Sequence, residues 1–398
     1  MGQRVMLIPG FTSLELVAPP LTAGNPDIVV WFNATVLGQA GPGILQLDPS
    51  GIAPGPLVPV WARGMTPRYL SRFAPYGDLL QWLSAHQFQN FYWSYDWRRT
   101  AQVLATQFAV FMAANYDDQP FTVIGHSFGG LIARLAYPVY QATSTKKNWI
   151  STIFVAVPHW GSYEAARALA GRQDYYSLLY TLFVLGRTLQ KAFPILPIIS
   201  GYPSGSVADQ MQAAVASWPG LYDLLPNPNG GSPTPDPAIP QLFKQATYAG
   251  YNPHVTQQAL DDAASTQAAL ARALAGPRPV EKNVIASGYD TVTKINNLSA
   301  LTDNASYDYT SQGDGVITVG RQMYATPTAA SIQAAHYLAA DYSSFLSLLP
   351  DLLDVNAAVV NPVPQPAPNA PVNVPPVKNI FPPPNLPLQG GQQVIFDP

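Results

Sequence analysis

Short apolar runs alternate along the chain with segments whose apolar residues recur at helical spacing. The runs typical of buried strands lie at 5–8, 90–94, 121–124, 152–157 and 283–287. Amphipathic helices are predicted between them, at 76–86, 102–116 and 254–275, and a further helix at 342–353. Strands that alternate with helices favour the α/β class, with a mostly parallel sheet flanked by helices on both faces.

This alternation breaks between residues 163 and 279. Residues 175–200 are strongly apolar, but Arg187, Lys191 and prolines interrupt them before the roughly 20 apolar residues of a membrane span accumulate. Two interpretations remain open for this stretch: a buried helix pair, or a lid whose apolar inner face receives acyl chains.

The same pattern divides the chain into three parts. We predict a core made of residues 1–162 and 280–355, a helical lid or cap insertion at 163–279, and a C-terminal tail at 356–398. The tail is rich in Pro, Asn, Val and Gln and has no helical or strand period. We expect it to lie extended on the domain or to act as a linker.

One strand ends in a motif that carries chemistry. The run at 121–124 is followed by Gly125-His-Ser-Phe-Gly129 and then by a helical pattern with Leu131 and Leu135 on one side. A G-x-S-x-G pentapeptide between a buried strand and a helix is the nucleophile elbow of α/β hydrolases, which exposes the serine at a strained turn. Ser127 is therefore the candidate nucleophile. The alternative is a tight strand–helix turn without chemistry.

A serine nucleophile needs a base, and in α/β hydrolases the chain order is nucleophile, acid, histidine. The five histidines of the chain are His86, His126, His159, His254 and His336. His86 precedes the nucleophile, and His126 lies inside the elbow with its side chain expected to point away from Ser127. His159 precedes every candidate acid, and His254 lies in the insertion. Elimination leaves His336 as the base.

The acid has more than one candidate. Asp314 lies between two glycines before a strand-like run, and Asp290 directly follows a predicted strand. Asp303 and Asp308 lie in the loop between them and could equally be solvated. The sequence pattern favours Asp314 as the acid, but it does not exclude Asp290.

Two backbone N–H groups are candidates for the oxyanion hole. One belongs to Phe128, directly after the nucleophile. The other belongs to Phe11, which follows the strand at 5–8 and a Pro-Gly turn, where many α/β hydrolases place their first donor. Removing one such donor typically costs about 10²–10³-fold in rate.

Composition and charge bear on the partners and cofactors of the protein. A net charge of −3 over 398 residues gives no electrostatic reason to expect binding to nucleic acid. The absence of cysteine excludes disulfides, thiolate nucleophiles and cysteine-bound metals. Neither an H-E-x-x-H motif nor a carboxylate cluster suggests a metal, and we expect no cofactor. The start of the chain does not resemble a signal peptide, and both a bacterial cytoplasmic and an exported location remain open.

Several motifs together resemble a known family. In chain order they are Ile8-Pro-Gly10, Tyr95-Asp-Trp-Arg98, Gly125-His-Ser-Phe-Gly129, Pro158-His-Trp-Gly161, Gly313-Asp-Gly315 and His336. This set is similar to the lecithin:cholesterol acyltransferase-like α/β hydrolases, which include lysosomal phospholipases and lipid transacylases. The resemblance implies that Asp314 is the acid and that Phe11 supplies the first oxyanion donor. It covers roughly residues 5–350, although the segments between the motifs are not matched.

Departures from the family pattern bear on function. The animal enzymes use disulfides, which this chain cannot form. The usual Pro-Trp-Gly-Gly reads Pro158-His-Trp-Gly-Ser162 here, closer to bacterial triacylglycerol lipases. Asp96 and Arg98 are interpreted as a structural ion pair.

These observations predict a serine carboxylester hydrolase of the lipase, esterase or phospholipase type. It would act on acyl lipid esters or similar apolar esters, and its lid could contact a lipid interface transiently. The alternative is a lipid O-acyltransferase that uses the same Ser127, Asp314 and His336. A third hypothesis is a hydrolase-fold protein that only binds a ligand. Such a protein would not need Ser127, Asp314 and His336 in the chain order of a catalytic triad.

Overall fold

The structure is a computed structural model. It describes residues 3–18, 28–31, 42–47, 61–65, 76–171, 206–227, 236–276, 278–323, 328–354 and 379–380. The apolar stretch at 175–200 and nearly all of the tail at 356–398 lie outside the described residues. The predictions made for them stay predictions.

A seven-stranded sheet forms the centre of the described structure. In spatial order its strands are β11 (Thr328–Gln333), β8 (Val280–Ser287), β7 (Trp149–Val155), β6 (Phe121–His126), β1 (Arg4–Ile8), β5 (Gln89–Trp93) and β12 (Asn379–Ile380). All the strand pairs in this sheet are parallel. β6 lies between β1 and β7, and all six of its residues are buried. The predicted α/β class, with a mostly parallel sheet, is confirmed.

Two small antiparallel sheets accompany the central one. The first has the order β3-β2-β4, and the second pairs β10 with β9. Their strands are β2 (Leu14–Ala18), β3 (Ile28–Trp31), β4 (Trp61–Met65), β9 (Thr291–Ile295) and β10 (Tyr307–Thr310). The β9–β10 pair lies in the connection between β8 and β11, where it leads the chain into the loop that contains Asp314.

Helices flank the sheet. They are α1 (Gly77–Ala85), α2 (Ala101–Asn115), α3 (Phe128–Thr143), α4 (Tyr163–Leu169), α5 (Val207–Ala216), α6 (Pro219–Tyr222), α7 (Gln257–Ala275), α8 (Val319–Gln322), α9 (Ser343–Leu346) and α10 (Leu349–Leu352). Short 3₁₀ turns lie at Pro42–Leu45, Ile239–Phe243, Gln245–Thr247, Leu298–Ala300, Asn304–Ser306 and His336–Leu338. The single helix predicted at 342–353 is instead the pair α9 and α10. Pro350 lies in the first turn of α10, and because proline has no N–H it cannot continue a helix from α9. Within the part of the chain that the structure describes, no helix is both long enough and apolar enough to cross a bilayer.

The described parts of the predicted insertion pack into the same apolar core as the sheet. Tyr163, Trp218 and Leu260 belong to the cluster that also contains the strand residues of the central sheet. A buried carboxylate adds a polar connection: Asp223 accepts hydrogen bonds from the Ala101 N–H at 2.6 Å and from the Thr100 hydroxyl at 2.8 Å, at the N-terminus of α2. Burial raises the pKa of Asp223 to about 6. The boundary of a lid within 163–279 stays a prediction.

The turn after β5 is held by a buried ion pair. Arg98 Nε and Nη2 donate to Asp96 Oδ1 and Oδ2 at 2.9 Å and 2.7 Å, and Arg98 Nη1 reaches the Leu45 carbonyl at 3.0 Å. Burial alone would raise the pKa of Asp96, but Arg98 and Arg99 outweigh it and lower that pKa below its ordinary value. The predicted structural pairing of Asp96 with Arg98 is confirmed.

Breaking this pair should destabilise the fold. Asp96→Asn removes the buried carboxylate charge that Arg98 Nε and Nη2 contact, and we expect a loss of about 3–5 kcal/mol in the free energy of unfolding. Urea denaturation measures this. The matched control is Asp118→Asn, which removes a surface carboxylate from Arg4 and should change the urea midpoint little. Equal, small changes in both variants would contradict the assignment.

Candidate active site

The elbow predicted around Ser127 has the strained geometry that such a turn requires. Ser127 lies between β6 and α3 with φ 52° and ψ −126°, a conformation that L-residues rarely adopt. The flanking glycines have no room for a side chain. A Cβ on Gly129 would lie 2.1 Å from the Ile8 carbonyl oxygen, and one on Gly125 would lie 2.7 Å from the Gly130 Cα. The small residues of the pentapeptide are therefore steric requirements: Gly129 of the packing of α3 against β1, and Gly125 of the tight turn from β6 into α3.

The structure brings together the three residues predicted as nucleophile, base and acid. Ser127 Oγ lies 2.8 Å from His336 Nε2, and His336 Nδ1 lies 2.8 Å from Asp314 Oδ2. All three side chains are buried. Because the carboxylate can only accept, Nδ1 carries the proton of a neutral His336, and Nε2 then accepts from the serine hydroxyl. Their catalytic roles stay a prediction at this point.

The carboxylate of Asp314 is aimed by its own loop. Asp314 Oδ1 accepts the backbone N–H groups of Val316 at 3.0 Å and Ile317 at 2.7 Å. The Asp314 carbonyl accepts the His336 N–H at 2.9 Å, which fixes the two residues relative to each other. The strand-like run predicted after Asp314 is wrong: it is a turn, because these two amides point back at the carboxylate instead of joining the sheet.

Gln322 was not predicted, yet its side chain connects the acid loop to the sheet. Its Oε1 accepts the Ala286 N–H at 2.8 Å. Its Nε2 donates to the carbonyls of Ala286 at 2.8 Å and Ile317 at 3.0 Å, and approaches Asp314 Oδ2 at 3.3 Å. A glutamine in a four-residue helix has no sequence signal that distinguishes this role from an exposed position.

The competing carboxylates lie elsewhere. Asp290, Asp303 and Asp308 are all exposed. Asp303 accepts the Ala305 N–H at 2.9 Å at the start of a 3₁₀ turn. His336 Nδ1 instead contacts Asp314. Across the described ranges, no group of three or more His, Cys, Asp or Glu side chains is arranged to hold a metal ion.

Two buried tyrosines hold the loop that follows β1. The Tyr95 hydroxyl donates a short hydrogen bond to the Pro9 carbonyl. The Tyr76 hydroxyl accepts the Gly10 N–H at 2.6 Å. This Pro-Gly segment is therefore fixed from both sides, although as a sequence it is only a common turn signal.

Both predicted oxyanion donors belong to segments that adjoin the nucleophile. A Cβ on Gly10 would lie 3.1 Å from the Ser127 Cβ, so the loop that leads into Phe11 runs against the serine. Phe128 is the first residue of α3. Among the described residues, neither the Phe11 nor the Phe128 backbone N–H has a hydrogen-bond acceptor. Both groups are free to bind an added oxygen atom, and their role in an oxyanion hole stays a prediction.

The expectation that the His126 side chain points away from Ser127 is wrong, because the ring lies against the His336 segment. Its Nδ1 lies 2.8 Å from the Tyr76 hydroxyl, and its Nε2 lies 2.9 Å from the His336 carbonyl oxygen. Burial and the neighbouring His336 lower the pKa of His126 to about 3. His126 is therefore neutral at ordinary pH.

Neither a protein-family model nor a curated protein matches the chain. One chain of the solved structure described as "The crystal structure of Tle4-Tli4 complex" aligns with a TM-score of 0.44 and 11% sequence identity, covering 88% of this chain and 98% of that chain. A likeness this weak carries no functional inference. The α/β assignment rests on the parallel sheet itself, whose strand–serine–helix turn is the organisation that α/β hydrolases share.

The lowered pKa of His126 predicts a specific loss of stability in acid. An unfolded histidine binds a proton near pH 6.5 but folded His126 does so only near pH 3, so the unfolded state takes up more protons between these values. The contribution of His126 is complete above pH 6.5 and is lost as the pH falls towards 3. His126→Gln lacks this titration, and the difference in free energy of unfolding between wild type and variant should change across this window. Urea denaturation at neutral pH and within the window measures it. A difference independent of pH would contradict the assigned pKa.

Proposed function

We propose that the protein is a serine carboxylester hydrolase of the lipase, esterase or phospholipase type, and that it forms an acyl-enzyme on Ser127. One observation carries the proposal: the unbroken chain of hydrogen bonds from Ser127 Oγ through His336 to Asp314, at the apex of a strained elbow. A tight turn without catalysis would not require a serine, a histidine and a carboxylate to be buried together in one chain of hydrogen bonds.

In the first half of the reaction, Ser127 Oγ attacks the ester carbonyl carbon while His336 Nε2 takes the hydroxyl proton. Asp314 stabilises the resulting imidazolium through Nδ1–H. The negative oxygen of the tetrahedral intermediate accepts hydrogen bonds from the backbone N–H groups of Phe11 and Phe128. When the carbon–oxygen bond to the leaving alcohol breaks, His336 returns the proton to that alcohol, and the acyl group stays on the serine.

In the second half, water replaces the alcohol. His336 Nε2 removes a proton from the water as its oxygen attacks the acyl carbon. The intermediate collapses with the proton passing to Ser127 Oγ, and the carboxylic acid leaves. Two backbone N–H groups donate to Asp314 Oδ1, and they hold the carboxylate in the orientation that this cycle requires.

Apolar side chains next to the base support an apolar ester as the substrate. Tyr337 and Leu338, directly after His336, are 57% and 38% exposed, and the Tyr337 ring lies 5.6 Å from the His336 ring. Large exposed apolar residues beside a reactive centre provide a surface for an acyl chain or a lipid. Contact with a lipid interface through a lid at 163–279 belongs to the same proposal.

A second candidate is a lipid O-acyltransferase that delivers the acyl group to an alcohol. The resemblance to the lecithin:cholesterol acyltransferase-like enzymes implies this alternative, because that family includes both phospholipases and lipid transacylases. Both reactions use Ser127, His336 and Asp314 in the same way up to the acyl-enzyme. Product analysis of a lipid ester reaction, with and without an added alcohol, separates the two.

Substitution of the proposed residues tests the assignment. We expect Ser127→Ala and Asp314→Asn to lower kcat/KM for a p-nitrophenyl ester by at least about 10³-fold, because they remove the nucleophile or the orientation of the base. The matched control is Asp290→Asn, which alters an exposed carboxylate and should leave kcat/KM unchanged. The reverse order of the two aspartate variants would assign the acid to Asp290.

A further inference from the structure

A second chain of hydrogen bonds runs behind the nucleophile. The Gly10 N–H lies 2.6 Å from the Tyr76 oxygen, the Tyr76 oxygen lies 2.8 Å from His126 Nδ1, and His126 Nε2 lies 2.9 Å from the His336 carbonyl oxygen. Tyr76 and His126 are both buried. The chain thus begins in the loop before Phe11 and ends on the backbone of the proposed base.

The direction of every bond in this chain is determined. The His336 carbonyl can only accept, so His126 carries its proton on Nε2. Nδ1 of the neutral ring then accepts, and it takes the single proton of the Tyr76 hydroxyl. The Tyr76 oxygen is left as the acceptor for the Gly10 N–H. Burial keeps both side chains neutral, since it lowers the pKa of His126 and raises that of Tyr76.

A separate contact ties the same two regions together. Tyr76 directly precedes α1, and the Leu79 N–H in the first turn of α1 donates to Asp341 Oδ1 at 2.8 Å. Asp341 follows His336 closely in the chain. The start of α1 is therefore connected to the His336 segment twice, once through His126 and once through Asp341.

We propose that Tyr76 and His126 are positioning residues that set the His336 imidazole relative to the loop that carries the Phe11 N–H. This inference rests on the proposed function. The two side chains act through backbone groups: Tyr76 holds Gly10, and His126 holds the His336 carbonyl. Because misplacing a reacting group by about 1 Å can cost about 10²-fold in rate, such a link has a catalytic consequence without any contact to substrate.

Two substitutions of His126 test its contact with the Tyr76 hydroxyl and its contact with the His336 carbonyl separately. In His126→Gln, the side-chain amide nitrogen takes the place of ring Nε2 and still donates to the His336 carbonyl. In His126→Asn, the shorter amide can accept from Tyr76, but no group reaches His336. We expect His126→Asn and Tyr76→Phe to lower kcat for a p-nitrophenyl ester by about 10- to 100-fold with KM little changed. His126→Gln should keep a substantial part of the activity that His126→Asn loses.

A double-mutant cycle tests whether the two side chains act as one unit. Tyr76→Phe combined with His126→Asn should lose little more than the worse single variant, because each change already breaks the same chain. The matched control is Tyr248→Phe, which removes another buried hydroxyl, one that donates to the Leu242 carbonyl at 3.1 Å. It should lower the melting temperature without lowering kcat. All variants are assayed where circular dichroism shows them to be folded.

The outcomes distinguish the two levels of the proposal. If the wild type hydrolyses the ester and Tyr76→Phe and His126→Asn keep the wild-type kcat while folded, the positioning role is overturned and the proposed function stands. If Tyr248→Phe lowers kcat as much as Tyr76→Phe does, the loss reflects general stability and the positioning role is again overturned. A wild type that hydrolyses no ester overturns the proposed function, and the positioning role with it.

Discussion

The close approach of α3 to the end of β1 is the constraint on which the rest of the site depends. At Gly129 the helix backbone lies so near the Ile8 carbonyl that no side chain fits. This packing forces the chain to turn within one residue, and Ser127 takes a positive φ as a result. Such strain costs on the order of 1–3 kcal/mol and persists only where the surroundings over-determine the conformation. Here β6 supplies that rigidity, since it is fully buried between two parallel neighbours.

Around this turn, hydrogen bonds hold the buried polar side chains in place. Asp314 accepts two amides of its own loop, and Gln322 joins that loop to β8. On the opposite side, Tyr76 and His126 connect the loop after β1 to the His336 backbone. A buried polar group without a partner is costly, so these networks favour one arrangement of the loops over others. These networks therefore hold the groups of the proposed acyl transfer in place before a substrate binds.

A residue of this site can be predicted from the sequence when a contiguous motif or the chain order identifies it. Ser127 could be predicted because a strand, a pentapeptide and a helix are contiguous in the chain, and His336 because chain order excludes the other histidines. For the acid, the pattern only favoured Asp314 in its Gly-Asp-Gly turn over Asp290 at a strand end, and the family resemblance strengthened that prediction. Gln322 and the partners of His126 could not be predicted. Their roles arise from contacts between segments far apart in the chain, and a single buried polar residue has no periodicity.

Covalent labelling tests most directly whether Ser127 is a nucleophile activated by His336. The intact protein is treated with a fluorophosphonate, and the modified peptide is identified by mass spectrometry. We expect a single adduct on Ser127, formed rapidly in the wild type, absent in Ser127→Ala and strongly slowed in His336→Ala. A wild-type protein that takes no label at Ser127, or a His336→Ala variant labelled as fast as the wild type, would contradict it.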